Sequence, residues 1–187
     1  MRIPFGCTGP VAAGEPRAGL VGWSPEQDGK RIRIVLEPAD WSQTALFTTP
    51  EATEKWEAVE GFWVPRPWLV SETCPGIIAA SAPVEPAASP QSVGLAAVFE
   101  RGGSRLGRRD GRAYSFTIRN NGEAPPVVPA GGFTLVLAGR IAALADGRAF
   151  ACTASGPDQR PVCVAGVQLD RVAFEAEGET LTEWRPG

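Results

Sequence analysis

RAFACTASGPDQRPVCVAGV, residues 148–167, is the stretch that decides the fold. Two runs of strand-forming residues flank Gly156-Pro157-Asp158-Gln159, which has the composition of a four-residue turn. Cys152 and Cys163 are equidistant from its centre. In an antiparallel hairpin they face each other, and at a non-hydrogen-bonded site opposed Cα atoms lie about 4.5 Å apart, near what a disulfide requires. The spacing thus predicts two strands, their register and a covalent bond worth roughly 3 kcal/mol in the chain-entropy model.

That pairing leaves Cys7 with Cys74, a longer loop worth roughly 4 kcal/mol. The chain has no C-x-x-C, which argues against a zinc site and a thioredoxin-like redox pair. Two disulfides imply an oxidising compartment, periplasmic or extracellular. Residues 1–20 lack the apolar stretch of a signal peptide, so the expectation is a leader already removed or a truncated start. Gly6 precedes Cys7 as in a lipidated cysteine, but without an apolar stretch before it lipidation is not expected. No run approaches 18 apolar residues, so no transmembrane segment is expected.

Outward from the hairpin, strand-like runs recur near 93–101, 112–120, 133–145, 148–155, 161–174 and 180–184. Tyr114, Phe116 and Ile118 alternate with polar residues, as do Ile32, Ile34 and Leu36 with Arg31 and Arg33, which is the mark of half-buried strands. Asn121-Gly122 and Asp146-Gly147 give strong hairpin signals, and Glu177-Gly178 a third. The alternation breaks at Asp170-Arg171, where a β-bulge is expected. Asn120 to Pro125 resembles the turn chemistry of many immunoglobulin-like modules. The expected fold class is therefore mainly β, an antiparallel β-sandwich of immunoglobulin-like style over 93–187, beside a loop-rich lobe over 1–80.

Ser81 to Ser92 is rich in Pro, Ala and Ser and reads as an extended connector, 81–92, between the two lobes. The first lobe holds Trp23, Trp41, Trp56, Trp63 and Trp68. Its helix is expected over 50–60: Thr49 as N-cap, Pro50 in the first turn, Glu51 and Glu54 near the positive end, and Gly61 to stop it. Ala52, Trp56 and Val59 would then share one face.

The 187 residues carry a net charge of −3 and 43% apolar residues, so a core can form and no basic field exists to gather nucleic acid. Histidine is absent. That removes Ser-His-Asp and Cys-His nucleophiles, imidazole acid-base catalysis and His-containing metal sites. The two lysines, Lys30 and Lys55, lie in no apolar run that would lower their pKa, and Tyr114 is the single tyrosine. No catalytic residue, cofactor or metal ligand is assigned.

Two segments could bind a partner. Arg101, Arg105, Arg108, Arg109 and Arg112 crowd a Gly-rich stretch that suits an anionic glycan, a lipid headgroup or an acidic protein, and equally a solvated loop guarding a sheet edge. Trp63, Arg66 and Trp68 form an aromatic cluster with a cation beside it, able to stack on a sugar or to sit in a core. For carboxylate chemistry the pairs to inspect are Glu57 with Glu60 and Asp40 with Glu37. The expected function is a non-catalytic recognition or scaffolding module of an envelope or secreted assembly, touching a protein or glycan through the Trp63–Trp68 segment, the arginine loop or an uncovered edge strand. The alternative is a carbohydrate-active protein.

Overall fold

The computed structural model describes residues 1–12, 18–27, 29–65, 92–102, 112–120, 124–154, 156–158 and 161–185. The protein is mainly β. Among the described residues the strands in chain order are β1 (Arg2–Phe5), β2 (Val21–Glu26), β3 (Arg31–Leu36), β4 (Ala39–Asp40), β5 (Trp56–Pro65), β6 (Ser92–Glu100), β7 (Tyr114–Arg119), β8 (Phe133–Ile141), β9 (Phe150–Thr153), β10 (Val162–Ala176) and β11 (Glu179–Trp184), with one helix, α1 (Pro50–Lys55), between β4 and β5.

β10 organises the larger, eight-stranded sheet, ordered β1-β8-β10-β6-β5-β4. Along one flank it pairs antiparallel with β9 over Val162–Ala165 and with β8 over Val167–Glu175. Along the other it pairs with β6 over Cys163–Val167 and with β11 over Val172–Ala176. The β6 pairing is parallel, so the sheet is mixed. The bulge expected at Asp170-Arg171 is present as a register shift between Leu169 and Arg171. Cys152 faces Cys163 in the ladder, Cα atoms 4.0 Å apart, and the two are disulfide-bonded as the spacing predicts.

A second sheet, β2-β3-β7, lies over one face of the first. Ile32, Ile34 and Leu36 of β3 and Tyr114 of β7 join Phe5, Phe62, Leu95, Phe133, Leu135, Val172 and Phe174 in one buried cluster. Strands on either side of the 81–92 segment pair with one another, β1 with β8, β3 with β7 and β5 with β6, and share this core. A smaller core lies on the opposite face of the large sheet, where Trp41, Phe47, Ala52 and Trp56 cover Val59, Ala96 and Val98.

The helix is shorter than its sequence signals suggest. Thr49 caps it, its hydroxyl oxygen accepting from the Ala52 N–H at 3.2 Å, and Pro50 opens it. It ends at Lys55 rather than Glu60, because Trp56 to Pro65 bonds along β6. A six-residue helix gains little from its own hydrogen bonds, whereas a ten-residue strand of aromatic and β-branched residues gains a full ladder. Ala52, Trp56 and Val59 still share one core, although the chain changes from helix to strand between them. Gly61 is therefore no helix stop. It is a strand residue on which the Trp41 ring lies, where a Cβ would overlap the indole.

Two turns also differ from expectation. Asp146-Gly147 joins no hairpin: β8 and β9 both bond the same flank of β10, and residues 142–149 leave that line and rejoin it. The weakest signal, Glu177-Gly178, makes the tight β10–β11 hairpin, with φ of 51° and 86° at its two central residues. β7 and β8 belong to different sheets, so Asn121-Gly122, outside the described residues, does not connect paired strands.

Candidate functional site: an open sheet edge

Sheet edges are where proteins add strands, and most edges here are blunted. β4 has two residues, β2 contains Pro25, and β11 carries charge. On the outer side of β10 and β11, Arg2 binds Glu175 at 2.6 Å, and Arg171 reaches both Glu175 and Glu183, at 3.5 and 2.7 Å. Arg185 adds a further bond to Glu183 at 2.7 Å. The Arg185 guanidinium, then that of Arg171, holds the Glu183 carboxyl down to about 2, so this charge persists at any ordinary pH.

The edge of β8 is different. β1 covers it from Phe133 to Val136, and Met1 extends the pairing to Leu137: its amino nitrogen donates to the Leu137 carbonyl at 2.7 Å, and the Leu137 N–H donates back at 3.0 Å. β8 continues to Ile141. Strand backbone groups alternate in direction, so Gly139 and Ile141 present N–H and C=O to the side Leu137 uses. The same count applies to β9. The Gly166 N–H donates to Ala149 across the ladder at 3.2 Å, which turns the backbone groups of Phe150 and Cys152 outward. Among the described residues no strand pairs with this edge.

Its side chains are apolar on one face. Ile141 is 60% and Phe150 50% exposed, and they stand opposite Val167 and Ala165, neighbours on the same face of β10. Their spacing along the edge is about 7 Å. Arg140, on the other face, is exposed and lies 3.3 Å from Asp170. The 142–149 excursion between the two strands is pinned by Leu144, 4% exposed in the smaller core. At its tip Arg148 Nε donates to Asp146 at 2.6 Å, and this bond lowers the Asp146 pKa.

The sequence-predicted site residues do not gather at this edge. Trp63 is half-buried against Trp41, rings edge to face at 4.9 Å, in the smaller core. Arg101 follows β6 and donates to the Thr53 carbonyl at 3.2 Å. Arg112 precedes β7 and is exposed. Arg66, Trp68, Arg105, Arg108 and Arg109 lie outside the described residues, as does Cys74; Cys7 is disulfide-bonded. Glu57 is the extra residue of a bulge and Glu60 a buried strand residue, so they are not helix neighbours. Asp40 is the cross-strand partner of Glu60, on the main-core face, and its carboxylate accepts from the Ser42 N–H at 2.9 Å. Trp41 and Trp63 occupy the opposite face, so this acid pair and those two tryptophans do not line one groove.

Among the described residues no cluster of three metal-ligating side chains occurs, and no helix is long and apolar enough to cross a membrane. Comparison with protein-family models, curated proteins and solved structures finds no match to this chain.

Proposed function

We propose that the protein is a recognition module that captures an extended polypeptide segment by strand addition on the β8–β9 edge, in an oxidising compartment outside the cytoplasm. One observation carries this reading: outward backbone groups at Gly139, Ile141, Phe150 and Cys152 coincide with the exposed apolar side chains Ile141 and Phe150. Main-chain bonds supply affinity in this mode and alternate side chains supply specificity. The disulfides support the compartment.

Chemistry of the two faces supports a ligand that alternates apolar and acidic side chains. An added strand places alternate side chains beside Ile141 and Phe150, where apolar groups fit, and the others beside Arg140, where an acid fits. A second copy of this edge is disfavoured, because its antiparallel pairing through Gly139 and Ile141 sets Arg140 against Arg140. The probe is a fluorescent peptide alternating valine and glutamate, with a valine–lysine peptide as counterpart. The glutamate peptide should bind saturably at micromolar concentration, Ile141→Pro should weaken it at least tenfold by removing an outward N–H, and Arg140→Glu should transfer the preference to the lysine peptide. Equal binding of both peptides by all three proteins, or none by any, refutes the reading.

A further inference from the structure

We propose that the Cys152–Cys163 disulfide is a redox latch on this edge, an inference that rests on the edge being the contact surface. β9 is a weakly anchored edge strand of the large sheet. It has four residues and, among the described residues, one neighbour, β10. Of its side chains only Ala151 is buried, while Phe150, Cys152 and Thr153 are exposed. A short ladder, one methyl group and one covalent bond hold it. The facing half of β10 is held independently, because β6 bonds its other flank over Cys163–Val167. Cutting the disulfide frees β9 without freeing β10.

Chemistry and position agree. Cys152 is exposed and Cys163 half-buried, so the Cys152 sulfur is the accessible target. The thiolate of an external dithiol attacks it, forming a mixed disulfide and expelling Cys163 as a thiolate. The second thiol of the reductant then displaces Cys152, so two electrons and two protons pass to the protein and the dithiol leaves as its own disulfide. Release of β9 removes Phe150 and the outward groups of Phe150 and Cys152, leaving Gly139 and Ile141 alone to bond a strand. Oxidised protein therefore captures its ligand and reduced protein lets it go.

Residue-resolved amide exchange on the whole chain tests this, comparing wild type with Cys152→Ser/Cys163→Ser, in which the bond at Cys7 is kept. The Ala151 and Thr153 amides, and those of Val162 and Val164 that face them, should exchange on the order of 100-fold faster in the variant, the factor expected from losing closure of so short a loop. Val172, Ala173 and Phe174 should be unchanged, and the valine–glutamate peptide should bind about tenfold more weakly. Dithiothreitol on wild type should reproduce the pattern, with alkylation and mass analysis showing Cys152 and Cys163 modified before Cys7. Unaltered protection of Ala151 and Thr153, or loss of protection throughout the sheet, overturns the latch. A peptide that binds neither form refutes the contact reading instead, whatever the exchange shows.

Discussion

Phe174→Ala should destabilise the protein by about 4 kcal/mol, read as a lowered midpoint in urea at unchanged slope. Phe174 is fully buried on β10, beneath the second sheet. Its ring meets Trp184 edge-on at 5.3 Å and Phe5 at 6.2 Å, and Trp184 in turn meets Tyr114 at 5.1 Å. Removing the ring opens a cavity among side chains from β1, β7 and β11, elements held by different ladders that cannot all move inward together. Phe150→Ala removes the same atoms from a half-exposed site and should cost less than about 1 kcal/mol. Similar costs at the two positions would mean that β10 does not carry the main core.

The second large effect is at Gly61, which faces the smaller core where Trp41 lies flat on the strand. A valine there must push the indole away, and overpacking of this kind costs about 3 kcal/mol. Trp41→Ala alone leaves a cavity and costs about 4 kcal/mol. In the double variant the valine enters the space the indole vacates. The combined loss should fall at least about 1 kcal/mol short of the sum of the singles. Strict additivity would place Trp41 elsewhere.

The C-terminal strands were legible because their signals are local. Alternation in Tyr114–Ile118 and symmetry of Cys152 and Cys163 about Gly156–Gln159 each depend on residues that end up bonded to near neighbours in sequence or to a single partner. The β8–β9 arrangement was hidden for the opposite reason. Asp146-Gly147 is a good turn in any context, and whether it closes a hairpin or only tips an excursion depends on the continuous flank of β10. Residues 56–60 misled similarly. Their local preferences suit a helix cap and first turns, and pairing with β6, some forty residues on, prevails. The candidate site shows a related limit: Ile141 and Phe150 look like any core residues in the sequence, and their exposure depends on which flank of β8 and β9 is paired, which no local pattern encodes.

Amide exchange along β8 in the ligand-free, oxidised protein tests the open edge most directly. Ala138 and Arg140 bond toward β10 and should be protected, whereas Gly139 and Ile141 should exchange near the rate of unstructured chain, giving a slow-fast-slow-fast order from 138 to 141. Protection of Gly139 and Ile141 equal to that of their neighbours would mean that the edge is already covered, and strand capture there would be ruled out.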